Sequence, residues 1–254
     1  MMGVGTKMIL ERKMQLNIPD LKEQAGKFQD NFLIAGFEGP NAGIMELAGL
    51  IQIYNGAMKE VSTKLEILDD EFHIRNSYNP IHHLECRIKG VRSIYEKLRK
   101  RNAQPTIESV KGNVQDIAGI RVICNFIDDI YAIEKLLLKQ ADVELIKRKD
   151  YIANPKESGY RSLHLVVSIP VFLSDKEEYV PVEIQMRTIA MDYWASLEHM
   201  LRYKSNSDMS GYSVKLLDCA NSLAETEMVM QEIRNSVEKG GANEPAKNSG
   251  GPKI

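Results

Sequence analysis

The stretch EYVPVEIQMRTIAMDYWASLEHMLRYK (178–204) changes its hydrophobic period in the middle. Val180, Val182, Ile184 and Met186 alternate with Tyr179, Pro181, Glu183, Gln185 and Arg187. That is the period of a strand with one apolar and one polar face. Thr188 is placed to cap a helix over about 189–204. A strand that runs straight into a helix, with a carboxylate and an arginine on its polar face, sets the fold class: α/β (α+β), a mixed sheet with helices on its apolar side and an open polar side.

The rest of the chain fits around that unit. At 83–89, His83, Glu85, Arg87 and Lys89 alternate with Leu84, Cys86 and Ile88. In DIAGIRVICNF (116–126), nearly every residue after Asp116 is apolar. Strands near 144–150 and 160–172 bring the sheet to about five. Apolar residues at three- and four-residue steps predict a long helix from Ile44 to about Arg75, ended by Asn79-Pro80. Further helices are expected near 91–101, 106–112, 128–141 and 214–238. Residues 1–43 read as a weakly ordered extension, 44–238 as one domain, and 239–254 as a disordered tail.

Composition narrows the function classes. The 254 residues carry a net charge of −2, so no global positive field marks a bulk nucleic-acid binder. Phosphate affinity must come from local clusters. Cys86, Cys124 and Cys219 are scattered and read as free thiols in a reducing compartment. The chain has no long apolar run and no signal-peptide pattern, so a cytoplasmic protein away from membranes is expected.

Two carboxylates stand out, Asp116 and Glu183. A lone strand carboxylate is ordinarily a solvated charge. Two of them near basic clusters read as a site holding a divalent cation against phosphates. Strict alternation puts Asp116 and Arg121 on opposite faces, so they share a site only if the strand is bulged or starts after Asp116. Gly119 predicts a bulge or a close backbone approach. Arg87 and Lys89 precede a helix whose Ser93 and Lys97 share a face, an arrangement suited to anions; Arg99 to Arg101 read as a solvated face. KRKDYIANPKESGYRSLHL (147–165) sets Lys147, Arg148, Lys149, Lys156 and Arg161 beside Tyr151 and Tyr160. Cations next to an aromatic in a glycine-containing loop suit a nucleotide. His82 and His83 should point opposite ways, His164 reads equally as structural or functional, and Trp194 reads as core. Phosphate-loop, dinucleotide and nucleophile-elbow motifs are absent.

Four separated segments then resemble one family. RIK-x3-SIYEKL (87–98), DIAGIRVIC (116–124), KDYI-x3-KESGYRSLHL (149–165) and EIQMRTIAMDYWASLEH (183–199) are similar, in order and interval, to the synthetase domain of RelA/SpoT-type (p)ppGpp synthetases. The pattern resembles a small alarmone synthetase, more like the RelP-type branch. The resemblance implies a nucleotidyltransferase-like fold, Mg²⁺, and transfer of the β,γ-pyrophosphate of ATP to the 3′-hydroxyl of GTP or GDP.

It implies roles by position. Asp116 matches the metal-binding aspartate and Glu183 the catalytic glutamate near the metal. Arg87 and Arg121 match the arginines flanking adenine, and Lys89, Ser93 and Lys97 the donor-phosphate residues. Lys149, Lys156 and His164 match the acceptor-phosphate side, and Tyr160 the ring that stacks on guanine. Gln185 falls on the GTP/GDP side, and Ala195 at a position whose backbone contacts the base. A Tyr160→Phe exchange should be nearly silent unless the hydroxyl is also used. No His-Asp dipeptide is present, so hydrolase activity is not expected. By resemblance the protein is a homo-oligomer, a tetramer. Glu66, Asp69, Asp70 and Glu71 on the first helix argue against activation by an alarmone at a tetramer centre. The competing class is a non-catalytic nucleotide- or RNA-binding regulator on the same fold. RNA binding stays open on sequence grounds.

Overall fold

The computed structural model of the protein describes residues 9–13, 40–104, 106–204 and 210–241. The strands are β1 (Ile9–Lys13), β2 (Ile81–Ile88), β3 (Ala118–Cys124), β4 (Glu144–Asp150), β5 (Leu163–Phe172) and β6 (Glu177–Thr188). The helices are α1 (Pro40–Asn76), α2 (Val91–Lys100), α3 (Ile107–Asn113), α4 (Ile127–Leu137), α5 (Ile189–Lys204) and α6 (Ser213–Gly241). One mixed sheet has the order β1-β2-β3-β6-β5-β4. β1–β2 and β3–β6 are parallel, and the other pairs are antiparallel.

The alternation read from sequence decides the layers. Val180, Val182, Ile184 and Met186 are buried, together with Leu84, Cys86 and Ile88 of β2. α1 lies on this face through Tyr54, Met58, Val61 and Leu65, all buried. It ends where Ser77 takes a positive φ of 52° and Asn79-Pro80 leads into β2. α2 docks by the stripe Val91, Ile94 and Leu98. Burial of each side chain of that size contributes about 1.5–3 kcal/mol. The same stripe holds Lys97 in a half-buried place while Arg92, Arg99 and Lys100 face water.

Several expectations change. The sheet gains a sixth strand, because Ile9–Lys13, inside the stretch read as an extension, pairs with β2. The rest of 1–39 and residues 242–254, hence most of the tail, lie outside the described residues. β3 starts at Ala118, after Asp116, and this lets Asp116 and Arg121 address one site. No register shift falls at Gly119; the shifts are at Ile81/His83 and Leu145/Lys147. The first of them upsets alternation, so His82 and His83 meet through their Nδ1 atoms at 2.9 Å instead of diverging. Asp69 is turned inward, accepting from Asn79 Nδ2 at 2.7 Å and from the Ile81 amide at 2.9 Å. It fastens the start of β2 and offers no outward charge.

Candidate active site

The polar face of the sheet carries two transverse rows set by strand register. Glu85, Arg121, Gln185, His164 and Lys149 form one, each the pairing partner of the next. Arg87, Gly119, Glu183, Val166 and Lys147 form the other. Side chains two residues apart on a strand share a face. The chain thereby gathers five strands onto one floor. Gly119, between Arg87 and Glu183, leaves that floor open at its middle.

Three cavities occupy this face. One of about 320 Å³ is lined by Arg87, Lys89, Asp116, Gly119, Arg121, Glu183 and Gln185 among others. A second, of about 190 Å³, takes in Lys97, Arg101, Asp116, Lys147, Lys149, Lys156, His164 and Glu183. A third, of about 660 Å³, lies between Arg121, Lys156, Tyr160, Gln185, Arg187 and Ala195. Together they offer space on the scale of ordinary ligand sites. Asp116 and Glu183 line both of the first two. Of the residues given a role by the family resemblance, Ser93 alone lines none of the three; it sits exposed on the first turn of α2.

Asp116 sits between two lysines. Lys89 Nζ donates to Oδ2 at 3.0 Å, and Lys97 Nζ approaches Oδ1 at 2.7 Å. The latter is a close ion pair on a buried oxygen. Burial opposes ionisation of this carboxyl, but Lys97 and Lys89 outweigh it and hold it below the usual range. Glu183 Oε2 accepts from Gln185 Nε2 at 3.1 Å. Arg121 pairs with Glu85 at 3.1 Å and reaches Asp192 at 3.5 Å.

On the other side, Lys156 Nζ lies 4.7 Å from the Tyr151 ring centre and 4.6 Å from that of Tyr160. The Tyr160 hydroxyl contacts His164 Nε2 at 2.8 Å and accepts from Arg187 at 2.7 Å. Arginine only donates, so the phenolic proton points to His164 and Nε2 is the acceptor. Burial, then Arg187, Lys156 and Lys149, push His164 down to about 4, in keeping with a neutral ring. The sequence reading left the hydroxyl of Tyr160 without an assigned partner; it has two.

The loop bearing Lys156 and Tyr160 is fastened at both ends. Asp150 Oδ1 accepts from the Ile152 and Ala153 amides at 3.0 and 2.9 Å, making a turn after β4. At the far end Arg161 donates to the Ala220 carbonyl of α6 at 3.2 Å. Gly159, at φ +88°, packs so closely on α6 that a Cβ there would lie 2.6 Å from that of Ala220. Trp194 Nε1 donates to the Leu216 carbonyl at 2.9 Å, tying α5 to the same helix. Thus α6 supports the loop from behind.

Not every cation of 147–165 faces the site. Arg148 turns to α4, where Nε and Nη2 grip Glu134 at 2.6 and 3.0 Å, and Arg161 turns to α6. Strand alternation accounts for Arg148. Arg101, read as part of a solvated face, closes the second cavity from the end of α2 and donates to the Asn113 carbonyl. Arg187 and Asp192, paired at 2.8 Å, were not singled out as site residues. Their spacing across the Thr188 cap was the available signal.

A carboxylate pair ringed by cations on the open face of a mixed sheet suits a nucleotide phosphoryl-transfer enzyme. The region found in RelA / SpoT proteins matches residues 86–208. The chain is 45% identical over 157 residues to GTP pyrophosphokinase YwaC of Bacillus subtilis, covering 62% of this chain and 75% of that protein. It is 36% identical over 187 residues to GTP pyrophosphokinase YjbM of the same organism, covering 73% and 87%. The structure of small alarmone synthetase 1 from Bacillus subtilis bound to its product pppGpp superposes with a TM-score of 0.68 and 35% identity, covering 76% of this chain and 98% of that one. The chain belongs to the RelA/SpoT family and, within it, to the small alarmone synthetases.

Proposed function

We propose that the protein is a GTP/GDP pyrophosphokinase: it transfers the β,γ-pyrophosphate of ATP to the 3′-hydroxyl of GTP or GDP, forming (p)ppGpp and releasing AMP. The observation that carries this reading is the position of Asp116 and Glu183 on the shared wall of two adjoining cation-lined cavities. The named activity of YwaC and YjbM and the pppGpp bound to small alarmone synthetase 1 support it.

The bond formed joins the 3′-oxygen to the β-phosphorus; the bond broken is the α,β bridge, whose oxygen leaves with AMP. Such transfer depends on alignment and neutralisation of charge. Arg87 and Arg121 flank adenine, and Lys89 and Lys97 hold the donor phosphates, with Ser93 at the N-terminal turn of α2. Lys149, Lys156 and His164 hold the acceptor phosphates, and the Tyr160 ring stacks on guanine beside Gln185 and the Ala195 backbone. Glu183 accepts a hydrogen bond from the attacking hydroxyl and orients it.

Asp116 and Glu183 fit a divalent cation. Asp116 presents two oxygens, each facing a lysine ammonium that incoming phosphate can draw away, and no group of three His, Cys, Asp or Glu side chains suited to a metal occurs among the described residues. Mg²⁺ characteristically takes one or two carboxylates and completes its shell with phosphate and water. When bound it neutralises the donor phosphates. A homotetramer in the cytoplasm accords with the family; no described helix is long and apolar enough to cross a membrane. Incubation with ATP and GTP, or ATP and GDP, tests the assignment: AMP and a guanosine 3′-pyrophosphate should appear in equal amounts. Nucleotide binding without AMP release would favour the non-catalytic regulator.

A further inference from the structure

Arg187 is the one buried cation among the described residues, with 6% of its surface exposed. A buried guanidinium ordinarily spends its donors on carboxylates. This one spends a single arm that way, Nη1 to Asp192 Oδ1 at 2.8 Å. Nη2 donates to two polar side chains of the cavity wall instead, the Tyr160 hydroxyl at 2.7 Å and Gln185 Oε1 at 3.2 Å. Its carbon also lies 5.2 Å from the centre of the Tyr160 ring.

Donor direction follows from that choice. With its oxygen accepting from Arg187, Tyr160 must direct its proton at His164 Nε2, 2.8 Å away. With Oε1 accepting, Gln185 presents its amide nitrogen to Glu183 Oε2 at 3.1 Å. A phenol and a carboxamide can each hydrogen-bond in more than one sense; an adjacent obligate donor removes the ambiguity. Through Asp192 the same group also adjoins Arg121, at 3.5 Å from the shared oxygen.

We propose that Arg187 is a positioning residue for the acceptor nucleotide: its fork sets the direction of the hydrogen bonds that orient Tyr160 and His164 on one side and Gln185 and Glu183 on the other. The proposal rests on the acceptor-side reading given above. Lysine keeps the charge but lacks the planar fork, so it restores the function only in part.

The test uses the full chain with Mg²⁺, varying ATP and GTP separately for wild type, Arg187→Gln, Arg187→Lys, Tyr160→Phe, Tyr160→Ala and the Arg187→Gln/Tyr160→Phe double variant, with a melting curve for each. Loss of a hydrogen bond from a charged donor predicts about a tenfold rise in the KM for GTP in Arg187→Gln, while the KM for ATP stays within about twofold. Tyr160→Phe should move the same constant in the same direction. Because both changes delete one shared hydrogen bond, the double variant should be worse than Arg187→Gln by less than about twofold. Arg187→Lys should fall between Arg187→Gln and wild type. Multiplicative losses in the double variant, equal rises for ATP and GTP, or an unchanged KM for GTP in folded Arg187→Gln would overturn the proposal. If Arg187→Gln does not fold, Tyr160→Phe decides, since it removes the acceptor and leaves the arginine; an unchanged KM for GTP there overturns it. Tyr160→Ala separates the two levels. A loss shared equally by ATP and GTP defeats the acceptor reading itself. A GTP-selective loss in Tyr160→Ala, with Arg187→Gln and Tyr160→Phe silent, defeats only the role of Arg187.

Discussion

Lys97 brings its ammonium within 2.7 Å of Asp116 Oδ1, so a lysine proposed to hold donor phosphate neutralises the carboxylate proposed to hold the metal. Lys89 does the same at Oδ2, 3.0 Å away. With Arg87, Arg101, Lys147, Lys149 and Lys156 on the same walls, the free site carries a net positive charge suited to polyphosphate. On the proposed reading, Asp116 would hold the metal that accompanies ATP, and Lys89 and Lys97 would turn to its phosphates.

Lys97→Met should therefore weaken ATP more than GTP. A charge-assisted hydrogen bond is worth about 1.5–3 kcal/mol, which corresponds to roughly tenfold or more in affinity. Melting temperature at neutral pH should fall modestly, since Asp116 loses one of its two cationic partners and keeps Lys89. Titration calorimetry with a non-hydrolysable ATP analogue measures it. Equal weakening of both nucleotides would remove Lys97 from the donor side.

The Asp116 carboxyl is held below its usual range, so its ionisation favours the folded state above the unfolded carboxylate pKa, and that contribution is lost as pH falls through the lowered folded value. In Lys97→Met the folded value should move up, so the loss should begin at higher pH. Urea unfolding of both proteins between pH 3 and 7 checks the direction.

His164 gives a second pH signature. Burial above all pushes its folded pKa down to about 4 from the ordinary 6.5. The unfolded chain takes up a proton first, so stability is full above about pH 6.5 and declines as pH falls towards 4. The loss at the lower end is at most about 3 kcal/mol. His164→Gln should flatten that part of the profile. A decline of unchanged size in the variant would assign it elsewhere.

Gly159→Ala tests the support of the acceptor loop by α6. A side chain at φ +88° is strained, and its Cβ would meet Ala220 at 2.6 Å. Left-handed strain and overpacking together cost on the order of 2–4 kcal/mol. The melting temperature should fall and the KM for GTP should rise more than that for ATP. Gly159→Ala combined with Ala220→Gly should recover part of both. No recovery would mean that backbone strain alone carries the effect.

Tyr160→Ala should weaken GTP by about tenfold to a hundredfold, the worth of base–aromatic stacking, and leave ATP nearly unchanged. Tyr160→Phe, expected from the ring alone to be silent, should now cost activity, because Arg187 and His164 both lose their partner. Separate ATP and GTP binding curves decide.

What was legible in the chain was what depends on period and local chemistry. Alternation at 178–187 placed Glu183, Gln185 and Arg187 on one face, and the Thr188 cap is present as a 3.2 Å bond to the Met191 amide. What was not legible depends on partners distant in sequence. Nothing near Asp69 announces that it will cap β2, and nothing near Arg161 announces Ala220. Arg101 passed for surface because three consecutive cations at a helix end normally are. The register shift at Ile81/His83 has no glycine to mark it, whereas Gly119, which looked like a shift, serves by having no side chain.

The central claim is that Asp116 and Glu183 carry pyrophosphate transfer. The most direct measurement is AMP and (p)ppGpp formed from ATP with GTP or GDP by wild type, Asp116→Asn and Glu183→Gln, each shown to be folded by its melting curve. The account predicts stoichiometric AMP and (p)ppGpp from wild type and loss of both products in the two variants, since each change removes stabilisation made chiefly in the transition state. Substantial turnover by folded Glu183→Gln, or nucleotide binding by wild type without AMP release, would contradict it.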